Sequence, residues 1–305
     1  MRHDAVMSER AQCVITDGRH SEIFYSRRAA PTLDVDLLAG PDAAGRRIRD
    51  SYDPDERLRE PVWIEAAALI DTSRRLLAIF SWHLEGYAHR AALRAVLAET
   101  WPGWDLRWAY AGLDDIAAHS GVPADPAAWT DDRPVSLVVL DPTELDEADA
   151  LVTVTQQDRT VQGYGLWSDT TDLFWAGPGL LDKLSTATPV TGLPAFPHNG
   201  LHLDPAARTA VAWTTQETAG LAADWPRHWP GWRLDFQQDS FASQPAVLLG
   251  PAPTLDAGLD ILARRLTGDR AVPEAAIDRV RRSAGALPPW PGLISRRRPG
   301  GSWTA

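Results

Sequence analysis

The strongest constraint on the fold of this chain is a Trp-Pro-Gly-Trp motif that occurs twice, at residues 101–104 and 229–232. Four identical consecutive residues that include two tryptophans are improbable by chance in a chain of 305 residues. Two further matches precede the motif in the same order in both halves. They are an Ala-Gly-Pro turn at 39–41 and 176–178, and an Asp four residues before an Arg, in Asp71/Arg75 and Asp204/Arg208. The sequence therefore predicts an internal duplication.

Each copy is predicted to contain a β-hairpin, a helix, a second β-hairpin, a second helix and a final strand. The clearest helix covers residues 88–100, where apolar residues recur at helical spacing. Hairpins favour antiparallel sheets, because parallel strands need a long crossover connection. We therefore predict an α+β fold with two halves, residues 11–120 and 151–245, that are each built on an antiparallel sheet and related by a pseudo-twofold axis.

Three segments lie outside the two copies. Residues 121–150 are rich in aspartate and glutamate and are predicted to be an acidic, solvated connector. Residues 246–284 contain two amphipathic stretches and are predicted to form C-terminal helices. Residues 285–305 are predicted to be a mobile tail.

The charge balance argues against several classes of partner. The formal net charge is −11, and an acidic surface repels the phosphate backbone of nucleic acids. The sequence has neither an apolar run of about 18 residues nor an apolar N-terminal signal segment. We therefore expect a cytoplasmic protein that binds neither nucleic acids nor membranes.

The sequence contains no motif for a cofactor, a metal ion or a catalytic nucleophile. The single cysteine, Cys13, excludes an internal disulfide and a multi-cysteine metal site, and it is predicted to be a buried thiol. There is no phosphate-binding loop, dinucleotide-binding glycine pattern, zinc-protease motif or nucleophile elbow. No cofactor and no metal site are therefore predicted.

His202 and Asp204 form the sequence pair that is nearest to an acid–base or metal site. On a strand, their side chains share one face and their Cα atoms lie roughly 6.5–7 Å apart, which permits a His–Asp hydrogen bond or a shared metal ion. The aligned position in the first copy is Leu69, so the second copy is polar where the first is apolar. Such a difference marks either an added site, in which the pair is catalytic, or sequence drift.

A second polar and aromatic cluster follows the second hairpin of the first copy, where Trp82 and His83 stand just before a helix. His83 is a catalytic candidate and Trp82 is a candidate for ligand binding. Arg27 follows the first hairpin, and its guanidinium could hold a carboxylate or a phosphate. The competing interpretation of each residue is an ordinary surface position.

The repeated tryptophan motif itself has two interpretations. In the structural one, the first tryptophan closes the apolar stripe of a helix, Pro-Gly ends that helix, and the second tryptophan begins the next strand. In the functional one, Trp104 and Trp232 form an aromatic cage or a stacking platform for a ligand. A single site shared by both copies would require them to converge on the pseudo-twofold axis.

Three functional hypotheses remain open. The first is a cytoplasmic binding or accessory protein that neutralises or regulates a protein partner through the groove between the two halves, since an acidic, tryptophan-rich surface suits a basic partner. The alternative is an enzyme that acts on a small organic substrate at the junction of the halves, with a site built from the polar candidates above. The third is a purely structural protein.

Overall fold

The structure is a computed structural model that describes residues 9–125, 135–168, 170–218, 221–266 and 271–283, together with Trp290 and Gly292. The chain divides into two compact units. Unit 1 comprises residues 1–129 and 255–294, and unit 2 comprises residues 130–254 and 295–305. The C-terminal helices therefore belong to the first unit.

Unit 1 begins with strands and helices in the predicted order, although the helix between the hairpins is divided into two, a short strand is added after them, and a helix follows the last strand. The elements are β1 (Ala11–Thr16), β2 (Ser21–Ser26), α1 (Leu33–Leu37), α2 (Pro41–Ser51), β3 (Asp53–Asp55), β4 (Ala66–Asp71), β5 (Leu76–Ser81), α3 (Gly86–Thr100), β6 (Asp105–Trp108) and α4 (Leu113–Ser120). β3 lies in a charged, proline-containing segment whose composition is typical of a loop, and it pairs only at the edge of the sheet.

The six strands of unit 1 form one mixed sheet, sheet 1, in the order β3-β2-β1-β4-β5-β6. The hairpin pairs β1–β2 and β4–β5 are antiparallel, whereas β1 pairs with β4 and β5 pairs with β6 in parallel. Every residue of β1, β4 and β5 is buried, so both faces at the centre of the sheet are covered. α4 packs on β1 and β4, and α2 packs on β2.

Unit 2 repeats this pattern. Its elements are β7 (Leu137–Val139), β8 (Ala150–Thr155), β9 (Val161–Ser168), α5 (Thr170–Trp175), α6 (Leu180–Ser185), β10 (Asn199–Asp204), β11 (Thr209–Thr214), α7 (Leu221–His228) and β12 (Arg233–Phe236). They form sheet 2 in the order β7-β9-β8-β10-β11-β12. The pairs β8–β9 and β10–β11 are antiparallel, and β8–β10 and β11–β12 are parallel. Among the strands, the two units differ in the origin of one edge strand, because β7 precedes its hairpin and β3 follows its hairpin.

Sheet 2 is also buried on both faces. On one face, apolar side chains of the strands pack against Leu173 and Phe174 of α5 and against Trp229, which follows α7. On the other face, a smaller cluster forms around Trp213 and Leu248. The core of unit 2 is thus a layer of side chains on each side of one sheet.

The predicted α+β class is confirmed, but the prediction of antiparallel sheets was wrong, because both sheets are mixed. A hairpin signal in a sequence reports only on two strands that are joined by a short turn. The connections β5-α3-β6 and β11-α7-β12 are instead helical crossovers, which return the next strand in the parallel direction. The pairing of one hairpin with the other is a tertiary contact that no local pattern specifies.

The first tryptophan of each Trp-Pro-Gly-Trp motif makes the same contact in both units. The Trp101 Nε1–H donates a hydrogen bond to the carbonyl oxygen of Leu37 at 2.8 Å. The Trp229 Nε1–H donates to the carbonyl oxygen of Phe174 at 2.7 Å. Each acceptor lies three residues before the glycine of an Ala-Gly-Pro turn. The motif therefore fixes the entry to the second helix of each unit, and we call this arrangement the tryptophan corner.

The glycine of each Ala-Gly-Pro turn completes the tryptophan corner. Gly40 and Gly177 have φ angles of +93° and +67°, a region that side chains disfavour. A Cβ at Gly40 would lie 2.8 Å from the carbonyl oxygen of Thr100, and a Cβ at Gly177 would lie 2.7 Å from that of His228. Both positions therefore require glycine for conformation and for space.

Two C-terminal helices, α8 (Leu255–Arg265) and α9 (Ala271–Ser283), pack against α3 in unit 1. The approach of α8 to α3 is close at Gly258, where a Cβ would meet the carbonyl oxygen of Ala88. Across the described ranges, no helix combines the length and the apolar character that crossing a membrane requires.

Most of the predicted mobile tail, residues 285–305, lies outside the described residues. Trp290 is 1% exposed, and its ring centroid lies 5.2 Å from that of Trp108. The Tyr110 hydroxyl donates a hydrogen bond to the carbonyl oxygen of Trp290 at 3.2 Å, and Gly292 forms a parallel bridge with Trp108. These two residues of the tail are thus docked beside β6.

Candidate functional site

The strand registers of sheet 1 bring four residues next to one another at one end of the sheet. Ala11 lies opposite both Ser26 and Ala66, and Ala66 lies opposite Ser81. The residues that flank these strand ends are, in sheet order, Arg27, Arg10, Glu65 and Trp82. Neighbouring strands are about 4.8 Å apart, so the row spans roughly 14 Å. This end of the sheet therefore concentrates charged and aromatic side chains.

Two tryptophans are exposed at this end of sheet 1. Trp63, in the 3-10 turn Pro61–Trp63, is 56% exposed, and Trp82 is 46% exposed. The Arg10 guanidinium lies over the Trp63 ring at 5.1 Å from its centroid, in a cation–π contact. We call the surface formed by Arg10, Trp63, Glu65, Trp82 and His83 the tryptophan surface.

Glu65 and His83 form a hydrogen-bonded pair within the tryptophan surface. The distance between Glu65 Oε2 and His83 Nε2 is 2.7 Å, and both side chains remain about one quarter exposed, at 23% and 24%. The His83 backbone N–H donates to Ser81 Oγ at 3.1 Å, which fixes the chain direction after β5. A carboxylate that holds one ring nitrogen orients the imidazole and leaves the other nitrogen for a ligand or a proton.

The structure brings three of the predicted site residues to this one end of sheet 1, namely Arg27, Trp82 and His83. The sequence did not predict Arg10, Trp63 and Glu65. Glu65 could have been found from the second hairpin, because the strand register places it opposite Trp82, whose backbone N–H donates to the Glu65 carbonyl at 2.8 Å. Arg10 enters the site through the parallel pairing of β1 with β4, which the sequence does not reveal.

The structure gives His202 and Asp204 separate partners. The two ring nitrogens of His202 lie 2.9 Å and 3.2 Å from the Oγ1 atoms of Thr153 and Thr155. Asp204 Oδ1 instead accepts a hydrogen bond from the Ala207 N–H at the β10–β11 turn, at 3.0 Å. Burial lowers the pKa of His202, although the charge of Asp204 opposes that shift. His202 therefore hydrogen-bonds to threonine hydroxyls in place of the predicted Asp204 contact.

The same end of sheet 2 carries a different set of side chains. The residues at the matching positions, in sheet order, are Trp167 within β9, Asp149 before β8, His198 before β10 and Thr215 after β11. Trp167 is 47% exposed. Burial raises the pKa of Asp149 and lowers the pKa of His198, and in both cases the charge of the other residue opposes the shift. Both shifts favour the neutral forms, and this row holds two ionisable residues where the row in unit 1 holds three, Arg27, Arg10 and Glu65.

Trp104 and Trp232, predicted as binding residues, lie half-buried in the two tryptophan corners. Trp104 packs edge to face on Trp101, with ring centroids 4.8 Å apart and planes at 86°. Trp232 packs on Trp229 in the same way, at 5.2 Å and 68°. Their packing supports the structural interpretation of the motif, and their use in ligand binding stays a prediction.

Unit 1 also contains a buried ionic cluster that the sequence did not predict. Asp34 is 1% exposed and accepts hydrogen bonds from His89 Nε2 at 3.1 Å and from two nitrogens of Arg265 at 3.1 and 3.2 Å. The Glu85 N–H donates to His89 Nδ1 at 3.0 Å, so the imidazole proton is on Nε2. Burial raises the pKa of Asp34, but His89 and Arg265 outweigh it and hold this pKa below its ordinary value. The cluster joins α1, α3 and α8, and its Asp34 and His89 side chains are closed to a ligand because they are 1% and 0% exposed.

Cys13 and a cavity in unit 2 do not add to the candidate site. Cys13 is buried, and burial raises the pKa of its thiol, so it is not an activated nucleophile. Within the described ranges, no group of three or more His, Cys, Asp and Glu side chains could hold a metal ion. A shallow cavity of about 400 Å³ in unit 2, bordered in part by Leu145, Asp146 and Leu193, contains none of the predicted site residues.

Comparison with protein-family models, curated proteins and solved structures found no match to this chain. No activity is therefore transferred from another protein. The functional conclusion depends on the geometry of the tryptophan surface.

Proposed function

We propose that the protein binds a protein partner through the tryptophan surface. The observation that carries this proposal is the exposure of Trp63 and Trp82 beside the Glu65–His83 pair at one end of sheet 1. Aromatic side chains are enriched at the centres of protein interfaces, where the burial of an indole removes a large apolar area from water. Two exposed indoles at one end of the sheet therefore support the proposal that a partner covers this surface in a complex.

The net charge of −11 supports a partner with a net positive charge, because opposite charges accelerate encounter over distances beyond direct contact. Such a partner would be neutralised or regulated when its functional surface is covered. We propose the cytoplasm as the compartment of this interaction, on the sequence grounds given above.

We also propose that the two units descend from one duplicated ancestor. The repeated order and direction of strand pairing and the matching tryptophan corners support this origin. The pseudo-twofold relation of the halves and a site in the groove between them stay predictions from the sequence.

Site-specific photocrosslinking tests the proposed surface. Trp63 and, separately, Trp82 are replaced by p-benzoyl-phenylalanine in the full-length chain, which is then irradiated in an extract of the native host. Val247 and Val272, which are 74% and 50% exposed, receive the same group as matched controls. We expect positions 63 and 82 to give an adduct of one mass that both control positions lack.

Specificity is tested by competition with unlabelled protein. Added wild-type chain should abolish the adduct, whereas a chain with both Trp63→Ala and Trp82→Ala should not. The proposal fails if positions 63 and 82 give no adduct, or if Val247 gives the same adduct with equal yield.

An enzyme is the second candidate, and the Glu65–His83 pair is the observation that favours it. A partly exposed imidazole held by a carboxylate can act as a general base towards a small organic substrate. Native mass spectrometry distinguishes this candidate from the first. A co-purified small molecule that is lost in His83→Gln would favour the enzyme, and a retained macromolecule would favour the binding protein.

A further inference from the structure

We infer that the tryptophan surface recognises a carboxylate of its protein partner and that Arg10 is the group that binds this carboxylate. The inference rests on the proposed function, because it assigns the chemistry of the partner at that same surface. The carboxylate is the side chain of an aspartate or glutamate on the partner.

The first observation is the unused hydrogen-bonding capacity of Arg10. A guanidinium carries five N–H donors, and a buried donor without an acceptor is unfavourable. Arg10 Nε is buried and has no hydrogen-bond partner among the described residues. Its guanidinium lies against the Trp63 ring, which is 56% exposed, and Arg10 as a whole is half-buried, so this group lies at the edge of the exposed surface.

Arg59 shows what a completed arrangement of this kind looks like in the same unit. Its guanidinium lies over the Tyr25 ring at 3.7 Å from the centroid, and its Nε donates a hydrogen bond to Asp55 Oδ2 at 2.8 Å. Arg10 has the aromatic platform, in Trp63, but no carboxylate of the residues that the structure describes is paired with it. The missing component is therefore an acidic side chain, which a guanidinium binds through charge-assisted hydrogen bonds.

The neighbours of Arg10 in the sheet row support an external acid. Glu65 is hydrogen-bonded to His83 at 2.7 Å, so its carboxylate already has a partner. On the other side of Arg10, Arg27 is exposed and adds a second positive charge. In a chain of net charge −11, this local positive patch would orient an acidic residue of a partner whose overall charge is positive.

The test uses the full-length chain with p-benzoyl-phenylalanine at position 82 as the probe, in the native-host extract. The variants are Arg10→Met, Arg10→Lys and the control Arg46→Met, which removes one positive charge from an exposed position on α2. We expect the adduct yield to fall by about tenfold for Arg10→Met, since a charge-assisted hydrogen bond is lost. Arg10→Lys should fall less, because the charge remains and the planar fork is lost, and Arg46→Met should match the parent.

A second measurement needs no variant. Sodium glutarate, a dicarboxylate, is compared with sodium chloride at equal ionic strength, and we expect only glutarate to lower the adduct yield of the parent chain. If Arg10→Met is unfolded at the temperature of the experiment, its adduct yield does not report on carboxylate binding. The glutarate competition then tests the inference with the parent chain alone. An unchanged yield with glutarate would then overturn the inference.

The outcomes separate this inference from the proposed function. If Arg10→Met keeps the full yield while Trp63→Ala removes the adduct, the surface binds its partner without Arg10 and the inference is wrong. If phosphatase treatment of the extract removes the adduct, the recognised group is a phosphate and the inference is again wrong. If neither position 63 nor position 82 gives an adduct in the parent chain, the proposed function itself fails.

Discussion

Units 1 and 2 are alike at one end of their sheets and different at the other. At the end that holds the second hairpin turn, each unit has a tryptophan corner with the same indole-to-carbonyl hydrogen bond and the same glycine constraint. At the opposite end, unit 1 presents charged residues with exposed Trp63 and Trp82, and unit 2 presents the Asp149 and His198 row with exposed Trp167. The corner, which both units keep, is therefore part of the fold, whereas the side chains at the opposite end differ without a change in the strand pairing.

The difference between the two rows is chemical, because their positions in the two sheets correspond. Arg10 of unit 1 stands where unit 2 has Asp149, and Glu65 stands where unit 2 has His198. The positive charge of Arg10 is thus replaced by an acid, and the acid Glu65 by an imidazole. The backbone pairing is the same in both units, so the sheet accommodates either set of side chains at these positions.

The largest expected effect tests whether the two corners are equivalent. Trp101 and Trp229 are 1% and 0% exposed. Replacement of either by alanine should lower the free energy of unfolding by about 3–5 kcal/mol, because a large cavity forms and a buried carbonyl loses its donor. Urea denaturation measures this, with Trp104→Ala as the half-buried control. If the free energy of unfolding falls by less than about 1 kcal/mol at one corner only, the two corners are not equivalent.

The glycine of each Ala-Gly-Pro turn gives the next largest effect. Gly40→Ala and Gly177→Ala should each lower the free energy of unfolding by about 2–4 kcal/mol, because both a positive φ angle and a clash with a carbonyl oxygen must be accommodated. Gly179→Ala is the control, since nothing lies within 4 Å of its added Cβ. Equal stability of Gly177→Ala and Gly179→Ala in urea would contradict the assignment.

The features of the fold that the sequence predicts are those with local causes. Each hairpin and the helix α3 arise from residues within about twenty positions, and the Trp-Pro-Gly-Trp motif is itself contiguous. The hydrogen bond that this motif makes in the tryptophan corner is not local, because Trp101 and Leu37 are separated by 64 positions. The parallel pairing of β1 with β4 depends on contacts across two helices, so alternation and turn signals do not reveal it. The same reason hides the cluster of Asp34 and Arg265, which are separated by 231 positions.

The candidate site was predicted in part, for the same physical reason. Trp82 and His83 follow a strand whose hairpin is visible in the sequence, so their place at a sheet end could be inferred. Arg10 and Trp63 became neighbours only through the parallel register. The hydrogen bond that the spacing of His202 and Asp204 permitted is replaced by bonds to threonines, which β8 presents to His202 through parallel pairing.

A pH-dependent difference between the units is expected at Asp115, in α4. Burial raises its pKa to about 6, although the Ala111 N–H opposes this shift. The native state then keeps a proton that the unfolded chain releases, so unit 1 loses stability as pH rises from about 4 to about 6. The residue fourteen positions after the corner tryptophan in unit 2 is the uncharged Ser243. We therefore expect the free energy of unfolding of Asp115→Asn to be about 2–3 kcal/mol higher than that of the wild type at neutral pH. Below about pH 4 the two free energies should be equal.

Thermal unfolding across this pH range measures the difference. The side-chain amide that Asp115→Asn introduces retains an oxygen that can accept the Ala111 N–H, which bonds Asp115 Oδ2 at 2.9 Å in the wild type. Asp182→Asn, at an exposed position in unit 2, serves as the charge control. A constant difference between Asp115→Asn and wild type at all pH values would mean that ionisation of Asp115 is not its origin.

The smallest effect on stability belongs to the tryptophans at the opposite end of sheet 1. Trp82→Ala removes an indole that is already 46% exposed, so the free energy of unfolding should change by less than about 1 kcal/mol. The crosslink from position 63 to the proposed partner should nevertheless be lost, because an aromatic anchor is removed from the interface. Trp101→Ala should have the opposite effects. It should strongly lower the free energy of unfolding, and below its melting temperature it should still give an adduct of normal mass. If Trp82→Ala lowers the free energy of unfolding as much as Trp101→Ala does, the Trp82 indole contributes to the core. The two ends of sheet 1 would then not differ in their role.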